Sequence, residues 1–496
     1  MRITNNMISQ NSMRNINTNK TNVDFLNTQM TTQKKISRPS EDPVVAIRAL
    51  RLRSNLNELN QYYEKNIPDA ESWLEITEGA LDNMKTILTD VYRQCVNGST
   101  DTLTQDDRNA ILKNLEALRE QIYEEGNANY AGRTVFTGYK TNSQLTFGSD
   151  DTTSNYLITE KFSFNDISEK NYYANQVSVP TSVGGVGTGV AKTDMLEEVT
   201  NNRVRLSYDQ ITNIQGGTLT YTGSDGTVYP SVPITTMSYD DFIGSPNNCQ
   251  VADDAILFIP ETGELIFGTD VANDIKACEG QFDITYDKTG FKAGEIRPEH
   301  YFDCQDITNA ANPITYVKEN QEIKYTVAFN QTLVVNTQAS DVFDASIGRD
   351  IDELADAVSA AIAAHEKVDK IKAMMKETQY EGVQDELASW LEAAQKEADY
   401  MDDNMQKLYS KGIDEFQGYL DKVTLANTDL GSRGDRLSLT KTRMSTQQEA
   451  FEKLKSNNED KELSEIIIEY TAAYTAYSAS TMAAAKAGQQ TLLDYI

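Results

Sequence analysis

Four cysteines and two histidines in 496 residues leave little material for a metal or redox centre. Cys95, Cys249, Cys278 and Cys304 are widely spaced and form no CxxC pair, so neither a disulfide framework nor a structural zinc site is expected. Cys95 falls on a helical seam and is expected to be a small core residue. Long apolar runs are missing too, since no stretch approaches the roughly 20 residues that a membrane helix requires. The opening MRITNNMISQNSMRN lacks the continuous apolar centre of a cleavable signal peptide, so any passage out of the cell is expected to use another route. Basic charge is also in deficit. Against 75 Asp and Glu stand 45 Lys and Arg, and a net charge of −30 argues against nucleic acid and anionic membrane surfaces as partners. Residues 1–53 hold nine basic and three acidic side chains and residues 433–496 hold eight and nine, so the segment between them carries all of the net negative charge. Weakly charged ends with an acidic middle fit ends buried in an assembly and a middle facing water.

What is present is periodicity. Ile16, Val23 and Met30 share one heptad register; Ile67, Leu74, Leu81, Leu88 and Cys95 share a second, with Ala70, Thr77, Met84 and Val91 at its complementary positions. Phe416, Val423, Leu430, Leu437, Met444 and Phe451 form a third, and Leu463, Tyr470, Tyr477, Ala484 and Thr491 a fourth. A period of 3.5 gathers such residues into one stripe on a helix, and a stripe held over several heptads requires a partner helix. The expected fold is therefore α+β: a hairpin-like chain whose N- and C-terminal helices pair in a coiled-coil stalk or helical bundle, with a mostly β variable middle domain.

Read in order, residues 1–36 are Asn- and Thr-rich, and their apolar residues are too sparse to hold a helix alone in water, so this segment is expected to order only against partners. The run Ser37-Arg38-Pro39-Ser40-Glu41-Asp42-Pro43 interrupts the period, with Asp42 placed to cap a helix that begins at Pro43. That helix is expected to reach about Val96, with a kink or break near Asn66–Ile67 imposed by Pro68. After the turn Asn97-Gly98-Ser99, Thr104 and Asp107 announce a second helix, antiparallel to the first. Short alternating segments with Gly turns run from Tyr130 to about Phe343, and helical patterns return at Ile347–Ala364, at Glu381–Tyr409 and through the C-terminal seams. The expected organisation is an inner coiled-coil segment at 1–40, a helical rod half with a β-hairpin at 41–147, a β-rich outer part at 148–345, the second rod half at 346–445, and a C-terminal inner segment at 446–496.

Chemistry-bearing groups are few. His300 with Asp303 and Cys304 is the one grouping that resembles a metal or nucleophile site, and His365 reads as a solvated helix residue. Asp150, Asp151, Asp270 and Asp274 lack calcium-loop spacing. Gly184, Gly185, Gly187 and Gly189 precede no phosphate-binding helix and read as a flexible connection. Tyr172, Tyr173, Tyr208, Tyr221 and Tyr229 could line a sugar site or simply pack strands. No catalytic residue, cofactor or metal is expected, and the chain does not read as an enzyme.

Four motifs carry a resemblance. The opening Met1-Arg2-Ile3-Thr4-Asn5-Asn6-Met7, the run Ser37 to Pro43, the strand entry Gly132-Arg133-Thr134-Val135-Phe136-Thr137-Gly138-Tyr139-Lys140-Thr141 and the closing Leu492-Leu493-Asp494-Tyr495-Ile496 resemble the bacterial flagellin family, and within it the hook-associated protein 3 branch. The resemblance covers roughly residues 1–147 and 410–496. It has a departure at Gln33, where a glycine is usual before the Lys34-Lys35 pair. It implies a structural subunit exported without a cleaved signal peptide and located outside the cell, at the hook–filament junction of the flagellum. The implied partners are hook-associated protein 1, flagellin, neighbouring copies of the same chain in a ring, and a flagellar export chaperone. With the seams, it implies an interface in which Ile16, Val23 and Met30 pack against Leu463, Ile467, Tyr470, Tyr474 and Tyr477, within and between subunits. Ala483, Ala484, Ala485 and Gly488 would allow close helix approach. Two alternatives stand beside it: a flagellin, that is, a filament subunit, and a flagellum-anchored adhesive or carbohydrate-active module in the middle domain.

Overall fold

A computed structural model describes residues 5–100, 104–188, 197–244 and 249–489, so the expectations for Met1–Thr4, Gly189, Thr491 and Leu492–Ile496 lie outside the described residues. The chain divides into two compact units, one of Met1–Glu71, Tyr325–Leu333 and Asp435–Ile496, the other of Ser72–Lys324 and Val334–Gly434.

The α-helices are α1 (Asn5–Thr32), α2 (Pro43–Gln61), α3 (Ile67–Gly98), α4 (Gln105–Glu124), α5 (Val183–Thr188), α6 (Tyr239–Ile243), α7 (Thr269–Ala277), α8 (Ala339–Val342), α9 (Ser346–Met374), α10 (Gln384–Glu459) and α11 (Leu463–Gln489). Asp42 caps α2 as its position suggested: its Oδ1 accepts from Val44 N at 2.9 Å and Val45 N at 3.1 Å, with Pro43 on the first turn. The break expected before Pro68 is a π-helical turn over Tyr62–Asn66. Proline has no N–H to give the preceding turn, and one extra residue in the ladder absorbs that loss without ending the helix. Asn66 Nδ2 fastens the turn to Thr326 O at 2.8 Å.

Thr104 and Asp107 form a reciprocal capping box at the start of α4: Asp107 N donates to Thr104 Oγ1 at 3.3 Å and Thr104 N to Asp107 Oδ2 at 3.0 Å. Thr104→Ala is expected to cost about 1 kcal/mol in urea unfolding, while Thr104→Ser, which keeps the acceptor, costs little. Asn83 Nδ2 reaches Glu125 Oε2 at 3.1 Å, which brings the end of α4 back along α3 in the antiparallel sense expected. The heptad seams are the helical core. Ile67, Ala70, Leu74, Thr77, Leu81, Met84, Leu88, Val91 and Cys95 are all buried, as are Phe416, Val423, Leu430, Leu437 and Met444. In the larger unit α10 runs antiparallel to α3. Asn427 Nδ2 donates to Asp82 Oδ1 at 2.8 Å, and a Cβ on Gly98 would meet the Tyr409 ring at 2.5 Å, so any larger residue there must displace that ring. In the smaller unit Lys441 pairs with Glu71 at 2.6 Å and Gln448 donates to Asn60 at 2.9 Å.

The strands are β1 (Asn129–Tyr130), β2 (Arg133–Thr134), β3 (Asp151–Ser163), β4 (Ser168–Ala174), β5 (Glu197–Arg205), β6 (Asn213–Ile214), β7 (Thr218–Leu219), β8 (Tyr221–Thr222), β9 (Val232–Thr236), β10 (Ile256–Ile259), β11 (Glu264–Phe267), β12 (Gln281–Phe291), β13 (Asp303–Asp306), β14 (Ile314–Tyr316), β15 (Lys324–Ala328) and β16 (Gln331–Val334). The fold is α+β. β1 and β2 form a tight hairpin whose two loop residues, Ala131 and Gly132, have φ of 51° and 81°, the positive values that a two-residue hairpin turn requires. Two six-stranded sheets follow, ordered β4-β5-β11-β10-β9-β7 and β14-β13-β3-β12-β6, with β8 also on β12. β10 and β9 are parallel, and the other named pairs are antiparallel. Tyr172, Phe242, Leu257, Ile259 and Ile266 pack one face of the first sheet. The glycine-rich segment read as a flexible connection is helical over α5: Val186 is buried, and its carbonyl accepts from Trp390 Nε1 at 3.3 Å.

Candidate subunit interface

α1 is a poor helix on its own. It is rich in Asn and Thr, and the hydroxyls of Thr18, Thr21, Thr28, Thr31 and Thr32 turn back to carbonyls four residues earlier. What holds it is α11. Lys35 N donates to Glu459 O at 2.7 Å and Lys461 N to Gln33 O at 3.0 Å, and from that junction the two helices run antiparallel, so that Asn19 Nδ2 reaches Ala476 O at 3.5 Å. Leu26 and Ile466 are buried, and Ile16, Val23, Met30, Tyr470 and Tyr477 are half-buried on the same stripes, at the heptad spacing read from the sequence. Leu463, Ile467 and Tyr474, expected in the same interface, are exposed instead: Ile467 and Tyr474 sit a step around α11 from the Ile466–Tyr470–Tyr477 stripe, while Leu463 shares the register of Tyr470 and Tyr477 but stands at the first residue of the helix. For the described part of residues 1–36 a partner is thus present inside the chain, as the expected pairing of the N- and C-terminal helices implies.

Ion pairs lock the junction. Arg53 holds Glu459 through two bonds, Nε to Oε1 at 2.8 Å and Nη2 to Oε2 at 2.5 Å, and Lys34 pairs with Asp460. The hydrogen bond from Arg53 keeps the Glu459 carboxyl below the usual carboxylate range despite its partial burial. Outside the intrachain seam, Met7, Ile8, Met13, Ile468 and Met482 join Leu463, Ile467 and Tyr474 as exposed apolar residues of the helical pair. On α2, Val44, Ile47 and Leu50 are also exposed.

The other candidates disperse. His300 contacts Ser143 Oγ at 3.3 Å and Gln144 O at 3.2 Å, and burial pushes its pKa down to about 4, so it is neutral at pH 7. Asp303 accepts from Lys318 N at 2.8 Å, while burial pushes the Cys304 thiol up to about 12 and makes it a core residue rather than a nucleophile. His365 is not simply solvated: its Nε2 lies 2.9 Å from Asp402 Oδ2, whose other oxygen takes Arg108 at 2.9 Å. Of the tyrosines weighed for a sugar site, Tyr172 and Tyr173 line one cavity, Tyr208 is buried with its hydroxyl on Ile296 O at 3.0 Å, and Tyr221 stacks on Tyr229 elsewhere. Asp151 caps its own strand, and Asp150 accepts from Ala293 N at 2.9 Å.

A buried ion network in the larger unit escaped the sequence reading. Lys170 on β4 pairs with Glu264 at 2.7 Å and Glu353 at 3.1 Å; Arg203 on β5 holds the same two carboxylates; Arg205 holds Glu353 at 2.8 Å and also Asp350. The available signal was placement. Arg203 and Arg205 share one face of a strand, and Glu264 opens the otherwise apolar run Leu265–Phe267.

Residues 3–141 match the family model described as the bacterial flagellin N-terminal helical region. Over that stretch the chain is similar to the flagellin family. Flagellar hook-associated protein 3 of Escherichia coli (strain K12) is 30% identical over 142 residues, 28% of this chain and 44% of that protein. A flagellin of Clostridium tyrobutyricum is 30% identical over 122 residues, 25% of this chain and 32% of the relative. The chain thus spans less than half the length of the curated relatives it matches. Among solved structures, flagellar hook-associated protein 3 from Legionella pneumophila aligns over 81% of this chain and 96% of that one, at 11% identity and a TM-score of 0.30.

The backbone at Gln33 accounts for the departure there. This residue has φ 54°, in the left-handed region that suits glycine, because the chain must turn sharply from α1 to meet Glu459. Gln33→Gly is expected to stabilise the smaller unit by about 1 kcal/mol, read as a higher urea midpoint.

Proposed function

We propose that this chain is a structural subunit of the bacterial flagellum that forms the hook–filament junction, as an adaptor between hook-associated protein 1 and flagellin. The observation that carries the reading is that the flagellin-family region pairs with α11 into a two-helix unit whose outer face is still apolar. Exposed residues of this kind in a row are costly in water and mark a surface that an assembly covers. Ile16, Val23, Met30, Tyr470 and Tyr477 set the geometry of the pair, and Leu463, Ile467 and Tyr474 face the neighbouring copy in the ring. In this reading residues 1–40 and 446–496 form the inner layer, 41–147 and 346–445 the rod, and 148–345 the outward part. The chain is exported by the flagellar route with a dedicated chaperone, acts outside the cell, and catalyses nothing.

The second reading, a flagellin, is favoured by the Clostridium tyrobutyricum relative. Incubating the purified protein under filament-promoting salt and imaging it by electron microscopy separates the two. A junction adaptor gives no long filaments, whereas spontaneous filaments of many subunits would make it the filament protein.

A further inference from the structure

In the larger unit a cavity of about 370 Å³ lies between the β4–β5–β11 face and the helices α9 and α10. Its cations are already matched: Lys170, Arg203 and Arg205 by Glu264, Glu353 and Asp350, and Arg349 by Asp209 at 3.6 Å. Arg203 Nε and Arg349 Nε lack acceptors among the described residues, yet both guanidinium charges are answered by carboxylates. Acidic side chains outnumber basic ones along the wall, six to four. Asp356 on α9 is solvent-exposed and makes no side-chain hydrogen bond or ion pair among the described residues; partial desolvation together with the Asp352 charge pushes its carboxyl up, although Lys170 and Arg349 act in the opposite sense. The floor is aromatic. Tyr173, 5% exposed, stacks on Tyr400 with centroids 4.2 Å apart, and its hydroxyl has no partner among the described residues.

A carboxylate open to solvent with no cation in contact, a buried hydroxyl with no partner among the described residues and tyrosine faces have one complement in common, a positive charge that carries N–H donors. We propose that this cavity binds a small organic cation bearing a primary amine, with the ammonium on Asp356 and the alkyl chain over the Tyr173–Tyr400 pair. A neutral sugar would leave Asp356 uncompensated, and an anion would meet the carboxylate excess. The site is independent of the junction reading, since none of its residues lies in the smaller unit.

Isothermal titration calorimetry on the full chain at low salt tests it, with 1,4-diaminobutane and methyl glucoside as probes and with Asp356→Asn and Tyr400→Leu as variants. The diamine is expected to bind the native chain and to bind Asp356→Asn about tenfold more weakly, the scale of one lost charge-assisted hydrogen bond. Matching circular-dichroism melts establish that Asp356→Asn is folded; if Asp356→Asn melts early, Tyr400→Leu gives the same comparison through the aromatic floor. No heat from the diamine, equal binding by the folded variant, or tighter binding of the glucoside overturns the proposal.

Discussion

Arg203→Met is expected to lower the stability of the larger unit by about 3–5 kcal/mol, because it leaves Glu264 and Glu353 buried with too little positive charge between them. Trp73 and Trp390 are the chain's two tryptophans and both belong to that unit, so fluorescence-detected urea unfolding reads it alone. The same network sets an acid limit. Burial by itself would raise the Glu264 carboxyl, but Lys170 and Arg203 outweigh burial and hold it at about 2, against an ordinary value of 4.5. A carboxyl depressed in the folded state contributes its stability in full above the unfolded value and loses it as pH falls through the folded one. The native unit should therefore weaken between about pH 4.5 and pH 2, and Arg203→Met should show a shallower decline over the same window. Unchanged midpoints at pH 7 would show that the network contributes nothing net.

Ile466→Asp and Ile467→Asp are neighbours in sequence with opposite expected effects. Ile466 is fully buried against α1, and an aspartate there must either drag water into the seam or free the helix, at a cost of several kcal/mol to the pairing. Amide exchange over α1 should accelerate sharply in this variant. Ile467 is about half exposed, so its replacement should change the isolated chain by no more than about 0.5 kcal/mol. If a neighbouring copy covers that face, Ile467→Asp nonetheless blocks incorporation into flagella, scored by loss of motility in a complementation assay. Normal motility with Ile467→Asp would remove the α11 outer face from the interface. Val23→Asp belongs with Ile466→Asp, because Val23 lies on the stripe that faces α11 within the chain.

The contrast shows what the sequence could and could not carry. Heptad seams such as Ile67 to Cys95 and Phe416 to Met444 were legible because a 3.5-residue period is a local property, and the caps at Asp42 and Thr104 were legible for the same reason. Period names the stripe but not the partner, so it does not separate Ile467 and Tyr474, which lie a step around α11, from Tyr470 and Tyr477, nor show that Leu463, in their register, stands exposed at the helix start. Partners distant in sequence stayed hidden. His365 meets Asp402 because α9 and α10 are antiparallel neighbours, as Lys367 and Glu397 also show at 2.7 Å. The ion network needs β4, β5, β11 and α9 brought together, and nothing within any one of those segments announces that. Gln33 is the converse case: an oddity visible in the chain acquires its physical meaning from one positive φ.

Deletion of the gene in the source bacterium tests the junction role most directly, with cells imaged by electron microscopy and the medium assayed for flagellin. The adaptor reading predicts bare hooks and flagellin lost to the medium, because exported filament subunits would have nothing to hold them. Cells without filaments and a medium without flagellin would contradict it and identify this chain as the filament subunit.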